Sequence, residues 1–171
     1  ESGTSLVFNG RRGALSVGEF TQSFNADLQG DFSTVFGQDS RVTGLASSVL
    51  GGQNNQISGK SSVILGGSNN TIKSNNSLIR GDYITLSNEA HNSFVWAPDN
   101  SDQLSISKMN SFIVFPNNTG NVGVGTVAPS AKLDINGIVN ASKFLVNGKP
   151  IKEAVQIWGI VNTPNNLLIA P

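Results

Sequence analysis

The sequence contains no cysteine, which excludes disulfides and thiolate metal centres as the means of holding the fold and leaves burial, strand ladders or oligomerisation. It is also poor in charge. Asp, Glu, Lys and Arg make up 13% of its 171 residues, about half the share in an ordinary soluble domain. The acidic and basic residues cancel to a formal net charge of zero. Without a run of Lys or Arg, nothing supplies the positive field that a phosphate backbone requires, so nucleic acid is not an expected partner. No apolar run approaches the roughly 20 residues of a membrane span, so direct membrane insertion is not expected. The beginning, "ESGTSLVFNG", lacks the basic start and apolar core of a signal peptide. The expectation is a processed or excised piece of a longer protein, or export by another route. Good helix formers are sparse as well, which argues against a helical domain.

What the chain has instead is 19 glycines and 21 asparagines, with Ser, Thr and β-branched residues suited to turns and strands. The expected class is all-β. The stretch "GGQNNQISGKSSVILGGSNNTIK", residues 51–73, states one phrase twice, fifteen residues apart. Gly51, Gly52, Gln53, Asn54, Asn55, Gln56, Ile57 are matched by Gly66, Gly67, Ser68, Asn69, Asn70, Thr71, Ile72. Anchored on the glycine that closes each apolar group, the register runs Gly37, Gly51, Gly66 and Gly81, at the ends of "STVFG", "SSVLG", "SVILG" and "SLIRG". "NSFVWA" (92–97) forms a degenerate fifth unit, and a second apolar position comes after each glycine at Val42, Ile57, Ile72 and Leu86.

A period of 14 to 15 residues is too short for a helix pair or propeller blade, but it fits two short strands and two tight turns, one rung of a β-solenoid. The turn glycines Gly37, Gly51, Gly52, Gly66, Gly67 and Gly81 are expected to supply the corners. The Asn pairs behind them tolerate left-handed backbone, and their side chains bond to turn amides or stack in ladders. Such a rung is thin. Two or three apolar side chains set against roughly 1–2 kcal/mol of backbone entropy per residue require cover from elsewhere, and another copy of the same chain is the cheapest cover. Val35, Val49, Leu50, Ile57, Ile64, Leu65, Ile72 and Ile79 are therefore expected to pack against copies of the chain.

Units of the form "SSVILGGSNNTIKSNNS" resemble the head repeats of trimeric autotransporter adhesins over about residues 30–96. That resemblance implies a left-handed parallel β-roll packed with two copies around a threefold axis, with those eight apolar residues as the trimer core. Downstream, "NVGVGTVAPSAKLDINGIVNASKFLVNGKPI" (121–151) is similar to a connector module of bacterial surface fibres and phage tail fibres, placed at the end of a β-prism-like shaft. Its marks are Gly123, Gly125, Pro129, the strand "KLDI" (132–135) and Asn136–Gly137, a favoured hairpin signal. In such fibres the module often precedes a trimerisation chaperone removed after assembly; none is recognisable here, which processing would explain. The expected organisation is a β segment at 1–29, head repeats at 30–97, a β transition at 98–120, the connector at 121–150 and a tip or stalk at 151–171. "NSFVWA" and "NSFIVF" (110–115) are expected to pair. Ile151, Ala154, Val155 and Trp158 recur at helical spacing, marking either a short helix or a strand segment.

Candidates for chemistry are few, and the expectation is a protein that is not an enzyme, with no catalytic residue, metal or cofactor. The sole histidine, His91, has Glu89 beside it and Ser93 within reach of a Ser–His–acid arrangement; the plainer reading is a surface histidine in a turn. Asp99 and Asp102 in "APDNSDQ" would suit Ca²⁺ or a glycosidase pair, though such loops are commonly only turns. "GVGT" and "GKS" lack the remainder of a phosphate loop. Asn-X-Ser/Thr sequons at Asn69, Asn75, Asn117 and Asn140 are what so Asn-rich a chain yields by chance. The irregularities of the repeat are better leads. Arg80 stands in the column of Phe36, Leu50 and Leu65, either as a cap paired with an acid such as Asp82 or as part of a ligand-binding patch with Tyr83, His91 and Trp96. Trp158 is a further tip candidate. The resemblance implies a rigid extracellular fibre segment at a bacterial surface that attaches the cell to another cell, matrix or glycan. A phage tail-fibre receptor-binding segment and a glycan-cleaving trimeric spike are the alternatives.

Overall fold

The computed structural model describes residues 3–20, 29–97, 103–114, 120–143, 145–146 and 149–150. Every regular element among them is a strand. In chain order these are β1 (Gly3–Asn9), β2 (Ala14–Phe20), β3 (Thr34–Phe36), β4 (Arg41–Val42), β5 (Ser48–Val49), β6 (Gln56–Ile57), β7 (Val63–Ile64), β8 (Thr71–Ile72), β9 (Leu78–Gly81), β10 (Ile84–Leu86), β11 (Phe94–Ala97), β12 (Leu104–Ile106) and β13 (Phe112–Val114). Then come β14 (Val122–Val124), β15 (Leu133–Ile135), β16 (Leu145–Val146) and β17 (Lys149–Pro150).

The chain winds between two sheets. One has eight strands in the order β1-β2-β3-β5-β7-β9-β11-β13, the other five in the order β12-β10-β8-β6-β4. All pairings within them are parallel except β1 with β2, an antiparallel hairpin at the N-terminal end. This is an elongated parallel β-solenoid of about seven turns. At roughly 4.8 Å per rung its length is about 30 Å. "NSFVWA" and "NSFIVF" do pair, as β11 and β13 in parallel.

Each rung buries one residue from each sheet. Val35, Val49, Ile64, Ile79 and Val95 stack along the first; Val42, Ile57, Ile72, Leu86 and Ile106 stack along the second, and Ile84 joins them. This corrects the expected trimer core. Six of its eight residues, Val35, Val49, Ile57, Ile64, Ile72 and Ile79, are at most 1% exposed within the single chain, because the second sheet folds back over the first and supplies the cover. The other two, Leu50 and Leu65, are 48% and 44% exposed on the outside of the first sheet. The pleat forces the split, since consecutive strand residues point to opposite faces and Ile64 and Leu65 cannot both point inward.

Polar ladders line the two bends of each rung. The Ser that opens each repeat phrase is buried, at Ser33, Ser47, Ser62, Ser77 and Ser93. From Ser47 onward the hydroxyl accepts the N–H of its counterpart one rung on: Ser62 to Ser47 at 3.0 Å, Ser77 to Ser62 at 3.2 Å, and Ser93 to Ser77 at 3.2 Å. At the other bend Asn55 and Asn70 are fully buried. Asn70 Nδ2 donates to Asn55 Oδ1 (3.0 Å) and to the Gly81 carbonyl (2.6 Å), while Asn70 Oδ1 accepts the N–H of Ile84 (3.0 Å). A solenoid bend has backbone groups that no strand can pair, and these side chains pair them. At the N-terminal end the apolar column stops on Ser16, whose hydroxyl accepts from the Gln29 amide, a polar finish suited to an end rung.

The neighbours Asn54 and Asn69 are left-handed, with φ of 54° and 56°, and their exposed amides bond to each other at 3.4 Å. The expected glycine corners need two amendments. Gly52 and Gly67 have φ of 90° and 100°, and a side chain on either would strike the carbonyl of the next rung. Gly51, by contrast, has open space at its Cβ position and is not among the positive-φ residues. A second close-approach column, Gly30, Gly44 and Gly59, runs along the other bend. In the segment 121–150, β15 pairs in parallel with β14, and neither Asn136 nor Gly137 adopts positive φ. Asn136–Gly137 therefore does not form the primed hairpin turn, which requires positive φ at both central residues. The segment 151–171, with its helical spacing and Trp158, lies outside the described residues.

Candidate binding surface

The two sheets present opposite chemistry to the outside. On the five-stranded sheet one outward column reads Arg41, Gln56, Thr71, Thr85, Ser105, polar at every rung. On the eight-stranded sheet the corresponding column reads Leu6, Val17 and Phe36, continues through Leu50 and Leu65, and ends Arg80, Trp96, Val114. Its neighbour reads Phe8, Leu15, Thr34, Ser48, Val63, Leu78, Phe94, Phe112. Stacking brings the rings of Phe94 and Phe112 to 5.1 Å, with planes 16° apart. Parallel in-register rungs repeat each residue type up the column, so an apolar position becomes an apolar stripe.

Arg80 and Trp96 are register partners on adjacent strands, and both side chains are exposed, Trp96 at 51%. Asp82 does not neutralise Arg80: its Oδ1 accepts from the Ser68 N–H (2.6 Å) and hydroxyl (2.8 Å). Tyr83 lies at the turn after β9, left-handed with φ 54° where the preceding rungs have Asn54 and Asn69. His91 is elsewhere. It precedes β11 at the opposite bend, where Nδ1 accepts the N–H of Asn75 at 2.9 Å. The structure thus brings together Arg80 and Trp96, sets Tyr83 at the next corner and separates His91 from them.

The Ser–His–acid arrangement is likewise taken apart. Ser93 is buried in the serine ladder and donates to the carbonyls of Lys108 (3.2 Å) and His91 (3.4 Å). Glu89 accepts from the Ser87 hydroxyl at 2.6 Å. That bond, with backbone N–H donation and a smaller contribution from His91, holds its carboxyl below the usual range. Asp99 and Asp102 lie outside the described residues.

Sequence reasoning left the N-terminal segment without a role, yet it carries a second polar cluster. At the β1–β2 turn, Asn9, Arg11, Arg12 and Asp31 line a hollow of about 260 Å³. The pair "RR" at 11–12 was the available signal; what hid it was Asp31, which only the fold brings across.

The fold and surface define an elongated parallel β-solenoid with one apolar and one polar outer face. Comparison with protein-family models, with curated proteins and with solved structures finds no match to this chain.

Proposed function

We propose that the chain is a segment of an extracellular fibre that works as a homotrimer and serves attachment, with the apolar face of the eight-stranded sheet turned toward the other two copies. The observation that supports this is the asymmetry of the outer faces. A solenoid fully solvated on both sides has no use for exposed Leu6, Phe8, Leu50, Leu65, Trp96 and Phe112 along one sheet, and contiguous apolar surface of this kind marks an interaction site. Identical chains suit it, because a rung that repeats along one chain meets its own periodicity in another copy. The polar sheet then faces outward, and three equivalent sites give avidity. This agrees with the resemblance of residues 30–96 to adhesin head repeats, and of 121–151 to a surface-fibre and tail-fibre connector. Attachment to a cell, matrix or glycan at a bacterial surface is the reading we adopt; a tail-fibre receptor-binding role shares its physics. No catalytic role is assigned.

The test is solution mass by light scattering. Three times 17.9 kDa is expected for the wild type, and a folded monomer for Leu50→Lys combined with Leu65→Lys. A wild-type chain that is a folded monomer at all concentrations would remove the proposal.

A further inference from the structure

We propose that the hollow at the β1–β2 turn binds an acidic saccharide through a ring carboxylate. This names a ligand class for the attachment reading and rests on that reading for its biological setting, but the observations are separate.

The turn at 10–13 is closed by the Arg12 N–H donating to the Asn9 carbonyl at 3.2 Å, and the corner at 31–32 is fastened to it by the Phe32 N–H donating to the Arg12 carbonyl at 2.7 Å. Arg12 Nη1 donates to Asp31 Oδ1 at 2.8 Å, which orients that guanidinium and neutralises its charge. Among the described residues Arg11 has no hydrogen-bond or ion-pair partner. Among the described residues that line the hollow, two guanidiniums stand against one carboxylate, a basic excess that suits an anionic group. Arg11 offers the planar fork that suits a carboxylate, while the Asp31 carboxylate can accept from sugar hydroxyls. The volume, about 260 Å³, is below the roughly 300–1,000 Å³ of pockets for drug-sized ligands and suits one sugar ring.

Phe32 supplies the second argument. It begins a corner column continued by Ala46, Ser61, Asn76, Asn92 and Asn110, all left-handed with φ of 51° to 57°. In every other rung this corner holds a small residue or Asn. Phe32 has φ 56° and is 71% exposed, so a bulky side chain sits in a disfavoured backbone region without the burial that would compensate. Its ring rests over Gly13, 3.1 Å from where a Cβ would stand, and these two residues directly follow Asp31 and Arg12 of the hollow's lining. An exposed aromatic ring on the residue that follows Asp31 offers a stacking face for the C–H side of a sugar whose carboxylate the hollow's charged groups hold.

The experiment titrates the full chain by NMR with α2,3-sialyllactose, a glucuronate-containing disaccharide, neutral lactose and inorganic phosphate. The acidic sugars should bind at least about tenfold more tightly than lactose or phosphate, moving resonances of residues 9–13 and 31–32. Arg11→Gln should weaken acidic-sugar binding by about tenfold or more. Phe32→Asn suits the left-handed corner, so it should weaken binding while Tm holds or rises, which separates a binding role from a structural one. Equal binding of lactose, phosphate binding as tight as the acidic sugars, or undiminished binding by Arg11→Gln would each overturn the proposal. Light scattering on the same samples separates it from the assembly reading: a trimer that ignores acidic sugars sinks the site alone, and a monomer that binds them sinks the trimer alone.

Discussion

Asn70→Ala tests the claim that buried asparagines hold one bend of the solenoid. The side chain lies at 0% exposure and serves three groups: the Ile84 N–H, the Gly81 carbonyl and Asn55 Oδ1. Truncation leaves the Ile84 N–H without its acceptor in a site closed to water. The Gly81 carbonyl loses a charge-neutral donor at 2.6 Å. Asn55 Oδ1 keeps the backbone N–H of Asn70 at 3.1 Å and is only half deprived. One orphaned donor at about 1–3 kcal/mol and one weakened acceptor at about 1 kcal/mol put the loss at about 2–4 kcal/mol. Hydrogen exchange reads this locally and does not depend on reversible melting. The Ile84 amide and its neighbours in β8 and β10 should exchange roughly 30- to 1,000-fold faster. Asn54→Ala is the control: its amide is exposed and its bond to Asn69 long at 3.4 Å, so only the left-handed backbone preference is lost, about 1 kcal/mol. If Asn70→Ala exchanges within a factor of three of wild type while Asn54→Ala does not, the ladder is not what holds the bend.

Two adjacent residues separate the internal core from the outer stripe. Ile64→Ala should cost about 2–5 kcal/mol in the folded chain, whereas Leu65→Ala should leave the monomer's denaturation midpoint nearly unchanged and weaken association measured by sedimentation. Gly67→Ala should prevent or severely destabilise folding, because the new methyl lands on the Gly81 carbonyl at a left-handed position, while Gly51→Ala, in open space, should be mild by circular dichroism melting. Asp134 accepts the Ser130 N–H at 2.8 Å and its hydroxyl at 3.0 Å, which lowers its carboxyl below the ordinary value, the N–H contributing most. A depressed folded pKa stabilises the β14–β15 segment above the unfolded value, and that stability is lost as pH falls through the folded one. Carboxyl NMR should show Ser130→Ala moving the Asp134 midpoint up toward the ordinary value. No change would mean the hydroxyl has no part in the shift.

The period, the rung and the polar corners were legible because each is a local demand repeated at fixed spacing. Asn54 and Asn69 sit left-handed, and Asn55 and Asn70 bond into the bend, because a tight corner needs those residue types wherever it occurs. Apolar residues were legible as buried or sticky, but their destination was not. Ile64 and Leu65 are adjacent and similar in hydrophobicity; one belongs to the chain's own interior and the other to its outside. Likewise "HNS" suggested a Ser and a His side by side, yet the rung turns Ser93 into the ladder and leaves His91 on the backbone of Asn75.

The sequence by itself determined an all-β solenoid with rungs of 14 to 15 residues, since period, turn chemistry and β-branched positions are properties of a single repeat. Only the tertiary structure decided which apolar residues the second sheet covers, that Arg80 stands beside Trp96, and that Arg11, Arg12 and Asp31 share one hollow. These are relations between rungs and between sheets, set by pleat and register, and a one-residue change in either would exchange every inside residue for its outside neighbour.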